Sequence, residues 1–149
     1  MQPITVTTVV QRPIDEVYDH LDVLGNHEAF TDHFMVDWEL SGPPRGVGAK
    51  LHANVKAAGT KQPIDLEVYE AEAPTRIVER TVAAGGKRIT RGTYRLEPAG
   101  DDATKVSFEI AYEQTPLADK LLAPVIQSLL RKMNQQAMDR LAAQLATPA

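Results

Sequence analysis

The chain has 149 residues, 43% of them hydrophobic and 24% charged, with a net charge of −4 and no cysteine. That length buries a core without help from disulfides or metal, and the missing cysteines exclude a disulfide framework, a thiolate zinc site and a cysteine nucleophile. The densest basic cluster, Lys87-Arg88 with Arg91, is too short for a nucleic-acid binder's stripe, and no apolar run approaches the roughly 18 residues of a membrane span.

Residues 4–10, Ile-Thr-Val-Thr-Thr-Val-Val, are mostly β-branched and read as a strand. Before them, Met1-Gln2-Pro3-Ile4-Thr5 lacks the basic start and apolar stretch of a signal peptide, so a cytoplasmic setting is expected. Pro13 opens a helix at its first position, with Asp15 and Glu16 in the turn where the helix dipole favours negative charge. Ile14, Val17, Tyr18 and Leu21 share one face of it. A short second helix is expected near Leu24–Phe30.

From Phe34 the period becomes two. Val36, Trp38 and Leu40 alternate with polar residues, and Ser41–Gly46 is a turn cluster. Ala49–Ala57 alternates without a break, and Gly59–Pro63 turns the chain. Ile64, Leu66 and Val68 form the next apolar row. Ala73-Pro74-Thr75 leads to a strand over Arg76–Val82, and Gly85-Gly86 signals a hairpin into Arg88–Glu97. Pro98–Asp102 turns again, and Thr104, Val106, Phe108, Ile110 and Tyr112 alternate through the last strand. With the first strand, this is a seven-stranded antiparallel sheet with one buried face.

A helical pattern then runs from Leu117 to Leu145. Leu121, Val125, Leu129, Met133, Ala137, Leu141 and Leu145 recur every four residues, and Leu122, Ile126 and Leu130 widen the first half. Pro124 either kinks this helix or marks its true start. About 28 residues make a helix about 40 Å long, enough to lie across the whole sheet. A long helix against a curved sheet meets it tightly at the ends and stands away in the middle. The fillers available are small, with three Phe and one Trp. A cavity lined by Trp38, Leu51, Ala53, Val55, Leu66, Val68, Tyr94, Leu96, Phe108, Ile110, Leu121, Val125, Leu129 and Met133 is therefore expected.

Candidate chemistry is sparse. His20, His27 and His33 lack the helical pairing with a glutamate that a zinc hydrolase shows, and no metal site is predicted. His52 should point outward. Ser41, Ser107 and Ser128 sit in no nucleophile elbow. Gly46-Val47-Gly48 and Gly85-Gly86 precede no helix and read as hairpin turns; no cofactor is expected. The strand over Arg76–Val82 is ambiguous. If Ile77, Glu79 and Thr81 face inward, Glu79 enters an apolar cavity with a raised pKa and becomes a candidate acid or base. If Val78, Arg80 and Val82 face inward, Arg80 is placed to bind an acidic ligand group. The preferred reading has Glu79 outside, paired with Arg91 across the hairpin. Tyr94 and Trp38 are the favoured polar tips on the cavity wall, ahead of Tyr18 and Tyr112.

The order strand, two short helices, six strands, long helix resembles the START-like (SRPBCC) superfamily, whose fold is called helix-grip. Arg12–Tyr18 looks like its proline-plus-acid helix opening. Asp22–Phe30 looks like its aspartate, asparagine-histidine and aromatic pattern, with Phe30 where tryptophan is usual and Glu28 where proline is frequent. Leu40–Ala49 and Gly92–Pro98 resemble two further segments, so the likeness covers nearly the whole chain as one ligand-cavity domain, residues 1–149. The resemblance implies an α+β fold, a seven-stranded curved antiparallel sheet wrapped around the C-terminal helix. It also implies a small hydrophobic or amphipathic ligand of the lipid, isoprenoid or aromatic polyketide class. A polyketide cyclase/aromatase or dehydratase-like enzyme is the alternative, with Glu79, Arg80 and Tyr94 as its candidate residues. A protein-interaction or stress/toxin-system component is the third reading. A monomer or weak dimer is expected, with no nucleic-acid partner and no integral membrane association.

Overall fold

The computed structural model describes residues 1–146. Strand β1 (Ile4–Val10) leads into α1 (Ile14–Asp22), a tight turn over Leu24–His27 and α2 (Glu28–Thr31). Strands β2 (Met35–Ser41), β3 (Lys50–Ala57), β4 (Thr60–Glu72), β5 (Arg76–Ala83), β6 (Arg88–Pro98) and β7 (Thr104–Gln114) follow, then α3 (Leu117–Leu121) and α4 (Ala123–Ala146). The sheet is antiparallel throughout, in the order β1-β7-β6-β5-β4-β3-β2. Consecutive strands are neighbours, and only β1 returns to close against β7. The seven-stranded sheet, the long C-terminal helix and the two short helices after β1 are those the sequence predicts.

Local chemistry explains the boundaries. Pro13 stands one position earlier than expected, as the residue before the helix; its carbonyl accepts from the amides of Glu16 and Val17. Val17, Tyr18 and Leu21 are the buried face of α1. Arg45 bonds the carboxylates of Asp19 and Asp22 and ties the β2–β3 loop to α1. That loop closes tightly. A Cβ on Gly42 would lie 2.4 Å from the carbonyl oxygen of Gly48, on a backbone already at φ +73°, so only glycine fits.

Two expectations are corrected and one open alternative is resolved. The turn after β3 is Ala58-Gly59, both at positive φ, so Gln62 and Pro63 belong to β4, with Pro63 opposite Asn54. In β2, Asp37 has φ 58° and the pairing with β3 shifts between Val36 and Glu39. This bulge reverses the alternation, so Met35 and Trp38 reach the concave side and Val36 does not. The C-terminal helix is two pieces. Leu122 leaves helical geometry at φ −106°, ψ 18°, and Pro124 occupies the first turn of α4. Proline is tolerated there because that amide has no helical partner.

One end of the hollow is filled. Val6, Val10, Val17, Leu21, Leu96, Val106, Ala137 and Leu141 belong to one buried cluster that joins α1, the sheet and the second half of α4. Towards the β3–β4 and β5–β6 hairpins, helix and sheet diverge.

Candidate functional site

The divergence leaves a cavity of about 440 Å³ between the concave sheet and the helices, within the size range of small-molecule sites. Leu51, Val55, Ile64, Leu66, Phe108 and Ile110 form the sheet side. Leu122, Ile126, Leu129, Leu130, Met133 and Met138 form the helix side, with Phe30, Phe34, Met35 and Trp38 closing one flank. Among the predicted wall residues, Trp38, Leu51, Val55, Leu66, Tyr94, Phe108, Ile110, Leu129 and Met133 line this space. Ala53, Val68 and Leu96 are buried in the packed cluster and do not reach it.

Leu121 and Val125 are a correction: they are 75% and 66% exposed and face away from the cavity. An every-four row advances 400° per step, so it drifts by about 40° each time. Three steps back from Met133, Leu121 is about 120° round the helix axis even before the break at Leu122. Leu122, Ile126 and Leu130 take the inner wall instead.

The polar feature of the interior is Glu79. Strand β5 turns Ile77, Glu79 and Thr81 inward, and Glu79 and Thr81 line the cavity. The expectation of an outward Glu79 paired with Arg91 is therefore overturned. Cross-strand register sets Glu79 opposite Gly92 and Arg91 opposite Arg80, on the outer face. Glu79 is 6% exposed, and its Oε2 has no hydrogen-bond partner among the described residues. Loss of water pushes its pKa from 4.5 up to about 8, so the carboxyl carries its proton at neutral pH. Arg80 stays outside, 3.6 Å from Glu113 and 5.9 Å from the Tyr69 ring centre.

An aromatic shelf surrounds this carboxyl. A Cβ on Gly92 would lie 2.9 Å from Cε1 and Cζ of Phe108 and 3.2 Å from Cγ of Glu79; glycine leaves the room both occupy. The Tyr94 ring lies 4.4 Å from that of Phe108 and 5.4 Å, edge-on, from that of His27. Burial, and then the charge of Glu79, hold the Tyr94 phenol well above its usual pKa. His27 lines the cavity and donates from Nε2 to the Leu21 carbonyl at 2.7 Å. Burial lowers its pKa to about 4 despite that bond, so the ring is neutral and its Nδ1 is an acceptor. The loop histidine thus has a backbone partner and also faces the interior.

The mouth is polar. Arg88 forks onto Asp119, Nε to Oδ2 at 2.5 Å and Nη2 to Oδ1 at 2.7 Å, and reaches Gln62 at 3.1 Å. Asp119 is buried, and the pair clamps α3 against the start of β6. Tyr112 lines the same opening. Sequence reasoning missed this clamp, because 31 residues separate its partners and no local pattern joins them.

Two other histidines have partners away from this carboxyl. His52 is outside and bonds Asp65 at 2.8 Å, and His33 donates to the Met133 carbonyl at 2.9 Å. No cluster of His, Asp and Glu suited to a metal occurs among the described residues, and no described helix is long and apolar enough to cross a membrane.

The family model described as polyketide cyclase / dehydrase and lipid transport matches residues 1–146. No curated protein matches the sequence. Among solved structures, a Thermus thermophilus protein superposes with a TM-score of 0.78 at 19% identity, covering 97% of each chain. A Streptomyces aromatase/cyclase gives 0.74 at 13% identity over 97% of this chain and 93% of that one. A norcoclaurine synthase from Thalictrum gives 0.73 at 15% identity, over 98% and 96%. Likeness at these identities establishes a shared fold, and fold alone does not assign a ligand or a reaction.

Proposed function

We propose that this chain, which belongs to the polyketide cyclase / dehydrase and lipid transport family, binds a small hydrophobic or amphipathic molecule inside its cavity. The lipid, isoprenoid and aromatic polyketide classes fit. The observation that carries this reading is the apolar cavity with one unpaired, buried carboxyl on its wall. Apolar burial supplies the affinity, at about 25 cal/mol per Å² before the costs of association. Glu79 orients the ligand. As a neutral acid it donates one hydrogen bond, so it selects a carbonyl, ether or hydroxyl oxygen at the ligand's inner end and disfavours a carboxylate. Native mass spectrometry of the purified chain, followed by solvent extraction, tests the reading. The expected result is an adduct of a few hundred daltons released on denaturation, or uptake of one from a mixed panel. A bare mass with no uptake contradicts it.

The same carboxyl supports a second reading, an enzyme of the cyclase/aromatase or dehydratase kind. A carboxyl that keeps its proton up to about pH 8 and faces an apolar cavity suits a general acid, and the ionised form suits a base. Tyr94 beside it would steady a developing oxyanion. Glu79→Gln separates the two readings: it keeps ligand uptake in both but abolishes turnover only in the second. Retained turnover in that variant removes Glu79 from the catalytic role.

A further inference from the structure

Outside the mouth, the α3–α4 junction is apolar. Leu117, Leu121 and Val125 recur at i, i+4 and i+8 and are 72%, 75% and 66% exposed. Leu122, 56% exposed, belongs both to this surface and to the cavity wall. The other large exposed hydrophobic side chains, Val9, Leu40, Val47 and Tyr69, are spread over β1, β2, the β2–β3 loop and β4. Among the described residues, the junction gathers four such side chains, and Leu122 joins them to the cavity wall.

The rim around the same mouth is cationic. Lys120 lies on α3 itself, and Lys87 stands beside Arg88 at the start of β6. Lys56 and Lys61 flank the β3–β4 turn, where Ala57, Ala58 and Thr60 line the opening. The acids at this end are engaged: Asp37 with Lys61 and Asn54, Asp119 with Arg88, and Glu113 with Arg80. Lys56, Lys87 and Lys120 make no ion pair among the described residues. A chain of net charge −4 thus presents a positive fringe beside this exposed apolar surface.

We propose that this face, the outer side of α3 and the first turn of α4, docks on the surface of an anionic lipid bilayer. A helix that lies in a membrane interface needs aliphatic side chains on one side and lysine at the headgroup level, and both are present. The patch is Leu, Val and Pro124, without the Trp, Tyr or Arg that anchor protein–protein contacts, so the chemistry favours lipid over a protein partner. Docking sets Leu122 and the mouth against the acyl region. An apolar molecule then passes between bilayer and cavity without crossing water. The docking needs no ligand and is measurable apart from the ligand-binding reading.

Co-sedimentation of the full chain with vesicles tests the proposal. It pellets with phosphatidylcholine vesicles containing about one third phosphatidylglycerol and poorly with phosphatidylcholine alone. Lys87→Gln and Lys120→Gln each weaken binding about fivefold, the equivalent of about 1 kcal/mol per basic residue near such a surface. Leu121→Asp combined with Val125→Asp abolishes pelleting. Both positions are exposed, so the double variant keeps its circular dichroism and its intrinsic fluorescence. Failure of the wild type to pellet with the anionic vesicles overturns the proposal, as does undiminished pelleting of the double variant. If the wild type instead self-associates in solution and Leu121→Asp removes that association, the face belongs to a second copy of the chain.

Discussion

Replacing Glu79 by Gln keeps the side chain's shape and removes its proton equilibrium, and the stability of the two proteins should diverge with pH. Below pH 4.5 the native and unfolded states both hold the proton, and the carboxyl contributes no pH dependence. Between 4.5 and about 8 the unfolded chain releases it while the native chain retains it. The unfolded state then binds fewer protons, so stability falls as pH rises, and the loss is complete once the native carboxyl ionises above about 8. A shift of that size corresponds to on the order of 5 kcal/mol at 1.36 kcal/mol per pH unit. His27 has the opposite sign. Its native pKa of about 4 lies below 6.5, so its contribution is present above 6.5 and is lost as pH falls through 4. That acid limb is common to both proteins and cancels in their difference. Urea unfolding from about pH 4 to pH 9 gives the difference directly, provided the m-values agree. Glu79→Gln should gain steadily on the wild type up to about pH 8 and level off above it. Parallel curves would refute a buried, unpaired carboxyl in the cavity.

Two further substitutions probe the wall and the mouth. Gly92→Ala puts a methyl against Phe108 and Glu79, both of which line the cavity. It should cost about 1–3 kcal/mol by thermal or urea unfolding and weaken ligand uptake as well. Asp119→Asn weakens the fork that holds α3. Amide hydrogen exchange in α3 should accelerate about tenfold while the β6–β7 amides keep their protection, since local openings are independent of the global one.

The sheet was legible because most of its strands keep strict alternation. Leu51, Ala53 and Val55 in β3, with Ile64, Leu66 and Val68 in β4, separate the two faces without ambiguity. Strand β2 was misread at Met35 and Val36, because the left-handed Asp37 reverses the alternation and nothing in its neighbours signals a bulge. Strand β5 was unreadable for another reason: Ile77 and Val78 give both faces an apolar residue. The inward set is fixed only by pairing with β4 and β6, which is long-range information. In the terminal helix the four-residue row was real but too regular, since 3.6 residues per turn carries such a row off any one face. The mouth clamp joins Arg88 to Asp119 across the β6–β7 hairpin, and it exists only once the fold has formed. The cavity followed from composition and from a long helix on a curved sheet; its charged detail did not.

Trp38 offers the most direct test of a ligand cavity. It is the chain's one tryptophan, it lines the cavity, and its Nε1 is already bonded to the Met35 carbonyl at 3.1 Å. Titration of the purified chain with a panel of apolar molecules bearing a terminal carbonyl or hydroxyl should change its emission saturably, raise the unfolding temperature with concentration, and be weaker for the matching carboxylates. Unchanged emission and unfolding temperature across the whole panel would contradict the claim that this cavity is a binding site.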